Sequence, residues 1–116
     1  MRRDKFIGQV QHRARLQNRG DAERLIRATL ETLGERLSEG TVTNLAGQLP
    51  QEIGEHLLRT GTMGDAGPVE LFGGQGFVQR VADRAIVREL DAAYGARAVL
   101  EVLGEATTGG PGWPGT

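Results

Sequence analysis

Residues 27–36 read RATLETLGER and residues 97–106 read RAVLEVLGEA, with seven of ten positions identical at an offset of 70. A repeat of this kind is weighed before any motif, because copies of one supersecondary unit and a single unbroken domain fold differently. The agreement extends upstream: residues 6–14, FIGQVQHRA, match residues 77–85, FVQRVADRA, at Phe, Val, Arg and Ala, now offset by 71. One residue has been gained or lost between the blocks. Downstream, Ser38-Glu39-Gly40 falls opposite Thr108-Gly109-Gly110. Each copy reads as a shorter helix, a tight connection, a longer helix and a glycine stop.

Apolar spacing decides between helix and strand. Phe6, Val10 and Ala14 recur every four residues, and Ala22, Ile26, Leu30, Leu33 and Leu37 follow at steps of three and four, one apolar stripe per helix. Asn18 is a suitable N-cap, Asp21 complements the dipole of the first turn, and Gly40 can end the helix in the left-handed conformation. The expected helices span residues 4–16 and 19–39. Beyond them, Thr43 can cap a short helix through Leu45, Ala46 and Leu49. Pro50 suits the first position of another carrying Ile53, Leu57 and Leu58. Residues 59–76 hold six glycines and a proline, the composition of a linker. Its Val69, Leu71 and Phe72 are expected to anchor on a helical unit.

In the second copy the helices are expected at residues 76–87 and 89–107, with a thinner apolar face. Leu25, Ile26 and Leu37 fall opposite Gly95, Ala96 and Thr107, and small residues allow helices to approach closely at the cost of buried area. Ile86, Val87 and Leu90 add apolar bulk near the bend. Gly34 and Gly104 occupy the same place in both copies, although a mid-helix glycine costs about 1 kcal/mol relative to alanine, so a close helix crossing is expected there. The expected fold is all-α, a bundle of about six helices in one domain, 1–116: two pseudo-repeated helical hairpins plus two short helices after the first. Unit one spans 4–58, the Gly-rich linker 59–76, unit two 77–108 and a flexible tail 109–116 that carries Trp113.

Composition bounds the function. The chain has 116 residues, 4% aromatic, no cysteine, and 14 basic against 15 acidic side chains. That length is one ordinary domain with one core, and the core must be aliphatic. Cysteine's absence removes disulfide frameworks, zinc ribbons and thiol nucleophiles, and suits a reducing, cytoplasmic setting. No apolar region follows the charged start Met-Arg-Arg-Asp-Lys and no run approaches a membrane span, so a soluble intracellular protein is expected. Charge is uneven: residues 1–36 carry nine basic and five acidic groups, residues 37–76 one and five, residues 77–116 four and five.

No motif carries chemistry. Glu31 and Glu35, with Glu101 and Glu105 at the matching positions, invite comparison with a di-iron bundle. Neither His12 nor His56 stands three residues after a glutamate, as that site requires. Arg27 with Glu31, and Arg97 with Glu101, read instead as i,i+4 pairs on solvated faces. The histidines lack a triad signature. Ser38, the only serine, reads as a cap, and the glycine clusters at 73–76 and 109–112 lack the lysine of a phosphate loop. No catalytic, cofactor or metal residue is expected, and the chain reads as a non-enzyme.

The pattern Phe6-Ile7 with Val10 and Ala14, the helix Ala28-Thr29-Leu30-Glu31-Thr32-Leu33-Gly34-Glu35-Arg36-Leu37-Ser38, and the turn Leu45-Ala46-Gly47-Gln48-Leu49-Pro50 followed by Ile53 resemble domain of unknown function family 2267. Phe72, Phe77-Val78 with Arg80-Val81-Ala82, and Arg97-Ala98-Val99-Leu100 are similar to its second half. The resemblance spans residues 4 to about 108 and implies an all-helical bacterial protein; it assigns no reaction, since the family is named for lacking a function. Members of that family usually close the second unit with another Gln-Leu-Pro segment and a helix. Here the glycine tail stands in that place, so apolar helix surface is expected to be covered by a protein partner, most economically a second copy in a homodimer. A self-associating or adaptor module is therefore the expected function, with Ile86, Val87 and Leu90 in its surface. The alternative rests on Arg2, Arg3, Lys5, Arg13, Arg15 and Arg19 along the first helix. A Phe-bearing helix, a bend and a long Ala-Leu helix also resemble the helical part of histone-like HU proteins, which implies weak, sequence-independent nucleic-acid binding.

Overall fold

A computed structural model of the chain describes residues 1–61 and 74–107. The described residues form six helices and no strand: α1 (Arg3–Arg13), α2 (Arg19–Arg36), α3 (Glu39–Gln48), α4 (Gln51–Gly61), α5 (Gly74–Ala85) and α6 (Glu89–Ala106). The all-α bundle expected from the apolar spacing is the architecture observed. Val69, Leu71, Phe72 and the tail with Trp113 lie outside the described residues.

Local chemistry explains the helix ends, several of which depart from the sequence reading. Asn18 caps α2 as expected, its side chain accepting from the Asp21 N–H at 2.9 Å. At the other end α2 stops at Arg36, not at Gly40, and Leu37 turns extended. The physical reason is Ser38, whose hydroxyl accepts from the Thr41 N–H at 3.2 Å and so caps α3 ahead of Thr43, the cap expected from the sequence. Gly40 and Thr43 consequently lie inside α3, and Thr43 donates to the Glu39 carbonyl at 2.9 Å instead of capping. Pro50 precedes α4, its carbonyl accepting from Ile53 and Gly54.

The two hairpin bends use one device. α1 ends at Arg13 and not at residue 16, because Arg15 takes φ 55° while the Leu16 N–H turns back to the Gln11 carbonyl at 3.0 Å. α5 likewise ends at Ala85, with Ile86 at φ 58° and the Val87 N–H on the Ala82 carbonyl at 3.1 Å. Both are Schellman stops, in which a left-handed residue frees the chain to leave the helix while the last carbonyls stay bonded. Glycine ordinarily fills that position; here arginine and isoleucine do, at a cost of roughly 1–2 kcal/mol each.

α2 is the central helix, packing against α1, α4, α5 and α6, while α3 packs on α4, α5 on α6 and α1 on α6. Its buried residues therefore exceed one stripe: Ala28, Thr29 and Thr32 join Ala22, Ile26, Leu30 and Leu33. The core is aliphatic apart from Phe6 and Phe77, which are 0% and 3% exposed. Arg36 lays its guanidinium over the Phe77 ring, 5.3 Å from the centroid.

Close crossings fall at Gly95, one of the small residues expected to let helices approach, and at Gly54. A Cβ on Gly95 would lie 2.6 Å from Leu25 Cδ1, so α6 meets α2 where the repeat sets leucine opposite glycine. A Cβ on Gly54 would lie 2.8 Å from the Ala46 carbonyl oxygen, which fixes α4 against α3. Gly34 is buried in α2. At Gly104 a Cβ would meet nothing within 4 Å, so no crossing within the described residues accounts for it.

Candidate functional site

Apart from Met1, the exposed large hydrophobic side chains among the described residues gather where α5 turns into α6. Ile86 is 81% exposed, Leu90 64% and Tyr94 66%. The left-handed Ile86 ends α5, and Arg88 opens α6 without a side-chain cap. Leu90 and Tyr94 then stand one turn apart on the solvent side, opposite the buried Ala92, Ala96, Val99 and Leu103. Of the three apolar residues expected at this surface, Ile86 and Leu90 are open. Val87 is not: it is partly buried against the core, because the residue after the left-handed position returns toward its own helix. Tyr94 was missed, although its i,i+4 relation to Leu90 on a face needing no further core residue is legible in the sequence.

Half of the expected basic surface is paired with carboxylates of the same chain. Arg3 pairs with Glu23 at 2.9 Å, Arg19 with Asp4 at 2.5 Å, and Arg13 with Glu105 at 2.7 Å and Glu101 at 3.6 Å. Arg2, Lys5 and Arg15 make no ion pair among the described residues. A surface groove of about 520 Å³ between α1 and α6 brings Arg13 and Arg15 beside Tyr94, Arg97 and Glu101. Two of the expected basic residues thus stand beside the exposed Tyr94 along one side of α6.

A second polar cluster joins α2, α4 and α5. Arg84 donates to Glu35 at 2.7 Å and to Thr32 Oγ1 at 2.9 Å, while Arg59 donates to Glu31 at 2.6 Å. Glu31 is only 15% exposed in its side chain, so it does not sit on a solvated face. Its expected partner is also wrong: Arg27 donates to the Arg84 carbonyl at 3.3 Å, whereas Arg97 does pair with Glu101 at 3.4 Å. The difference follows from position, since α2 is wrapped by α4 and α5, which bring their own arginines to Glu31. His56 lies 3.2 Å from Arg59, and desolvation by burial, followed by the Arg59 charge, lowers its pKa from the usual histidine value.

Among the described residues no three His, Cys, Asp or Glu side chains stand together as a metal-holding group. The groove of about 430 Å³ beside His56 is lined by three arginines and three glutamates, whose formal charges cancel. No described helix is long and apolar enough to cross a membrane.

The family model described as "Uncharacterized conserved protein (DUF2267)" matches residues 3–111. No curated protein and no solved structure matches the chain.

Proposed function

We propose that this chain, which belongs to the DUF2267 family, is a non-enzymatic protein-interaction module whose contact surface is the patch Ile86, Leu90 and Tyr94. The observation that carries this reading is the exposure of three large apolar side chains, at 81%, 64% and 66%, in the bend before α6 and on its first turns. Scattered surface hydrophobics need no explanation, but a clustered set rimmed by charge is the usual mark of a protein contact. The α1–α6 groove continues that surface, and Arg15, Arg97 and Glu101 form its polar rim. A cytoplasmic bacterial setting suits a cysteine-free helical bundle.

The experiment compares wild type with Leu90→Asp and Tyr94→Ala in a pull-down and by solution mass. Both variants are expected to keep the helical fold, because the side chains are exposed, and to lose their partner. Unchanged interaction in both would refute the patch as the contact surface. Weak nucleic-acid binding is supported by Arg2, Lys5 and Arg15 alone, since Arg3, Arg13 and Arg19 are paired with carboxylates. A mobility shift at low salt that disappears at physiological salt is its expected signature, and no shift at low salt would remove it.

A further inference from the structure

On the solvent side of α6, Leu90, Ala93, Arg97, Leu100 and Gly104 recur at steps of three and four, the spacing by which two helices form a seam. The other described residues leave most of that seam uncovered. Leu90 is 64% exposed, Ala93 is exposed, the Arg97 side chain is 81% exposed, and Leu100 is only partly buried. Gly104 faces open space, with nothing within 4 Å of a Cβ built on it. Just before the seam, Ile86 holds a β-branched side chain 81% exposed at φ 58°, a conformation that disfavours isoleucine. Core packing explains neither the open glycine nor the exposed isoleucine.

We propose that the occupant of this seam is the same seam on a second copy of the chain, with the two α6 helices antiparallel about a two-fold axis. The inference rests on the interaction reading above and names its partner. In antiparallel pairing the spacing sets Leu90 against the partner's Leu100 and Ala93 against the partner's Arg97, and brings Ile86 over the partner's Gly104. Leucine then packs on leucine, the small Ala93 takes the long Arg97 stem, and the missing Cβ at Gly104 makes room for isoleucine. Sliding one heptad in either direction leaves Leu90 or Leu100 uncovered. Charge agrees with this register. The Arg97 guanidinium is drawn toward Glu101 at 3.4 Å, which is the level of the partner's Glu89, an exposed carboxylate without an ion pair among the described residues. The two-fold operation makes that pairing twice. From Leu90 to Gly104 the seam runs about 21 Å, shorter than the interface of a permanent dimer, so association in the micromolar to millimolar range is expected.

Sedimentation equilibrium on the full chain, from about 10 µM to 1 mM, tests the dimer. The wild-type mass is expected to rise from one toward two copies. Leu90→Glu is expected to weaken association by about tenfold or more, and so is Gly104→Gln, which fills the space taken by Ile86 without touching the monomer's core. A cooperative thermal melt for Gly104→Gln separates lost association from lost folding. Because the chain has no cysteine, register is read with engineered thiols. An Ala93→Cys and Arg97→Cys mixture is expected to form the mixed disulfide about tenfold faster than either homodisulfide, since those positions face each other. A faster Ala93→Cys homodisulfide overturns the antiparallel pairing. A monomeric mass throughout, with another protein still captured through Leu90, overturns the second copy and leaves the interaction reading standing. A monomer whose capture is indifferent to Leu90 and Tyr94 overturns both.

Discussion

The crossing of α2 and α6 makes a quantitative prediction. An alanine Cβ at Gly95 would stand 2.6 Å from Leu25 Cδ1, 2.8 Å from Cδ2 and 3.0 Å from Cγ, and Leu25 is 2% exposed, so it has little room to turn away. Two opposing effects set the outcome of Gly95→Ala. Alanine in a helix interior gains about 1 kcal/mol over glycine. Crowding a packed core costs about 1–3 kcal/mol. The single substitution is therefore expected to range from neutral to about 2 kcal/mol destabilising. Leu25→Ala alone leaves a cavity and costs about 2–5 kcal/mol. In that background the clash is absent, so adding Gly95→Ala stabilises by about 1 kcal/mol. The coupling between the sites is then about 1–3 kcal/mol, well above the few tenths by which independent sites deviate from additivity. Urea denaturation of the four proteins of the cycle measures it, and in thermal melts each 1 kcal/mol moves Tm by about 4–8 °C for a domain of this size. If Gly95→Ala stabilises by the same amount in both backgrounds, the helices do not cross through Leu25 and this account of the bundle is refuted.

Three further outcomes are expected. Gly54→Ala destabilises more than Gly95→Ala, because its Cβ would press on the Ala46 backbone at 2.8, 3.2 and 3.3 Å, which cannot rotate aside; an unchanged urea midpoint would contradict the α3–α4 packing. Ile86→Gly stabilises by about 1 kcal/mol, since glycine takes φ 58° without strain, and a lower Tm would show that the isoleucine supports the fold. His56 makes stability depend on pH, because its folded pKa is lowered by desolvation and by Arg59, with Arg27 adding and Glu31 and Glu55 opposing. The unfolded chain then binds the proton first, so stability is whole above the ordinary histidine pKa and declines as pH falls below it. His56→Gln is expected to flatten that decline in melts between pH about 7.5 and 5.5, and an unaltered slope would assign it elsewhere.

Much of the helical skeleton was legible because helix periodicity and capping are local. Asn18 announced α2, and the start of α6 at Glu89 followed from the apolar pattern. The misplaced ends have a common cause. Gly40 is a good helix stop, but a stop is a competition among neighbours. Ser38 won it by capping the next helix first. Left-handed stops at Arg15 and Ile86 gave no signal, since neither residue type favours that conformation. At the candidate patch, Ile86 and Leu90 are exposed apolar residues that already stand out in the sequence near a charged bend. Val87 beside them is partly buried, because one residue of register decides whether a side chain turns in or out.

By itself the sequence determined what depends on neighbours in the chain: an all-α aliphatic bundle, a segment repeated at an offset of 70, and a cysteine-free composition without a catalytic motif. Tertiary structure decided what depends on neighbours in space. It made α2 the central helix, and so placed Glu31 among arginines from α4 and α5 instead of beside its own Arg27. It neutralised half of the basic stripe on the first hairpin with carboxylates up to 92 residues away. Of the repeated glycines, it buried Gly34 and left Gly104 open, while Gly95 became the close contact. Equivalent residues in a repeat share a local conformation, but each copy packs against different partners, and packing determines which faces are left to meet another molecule.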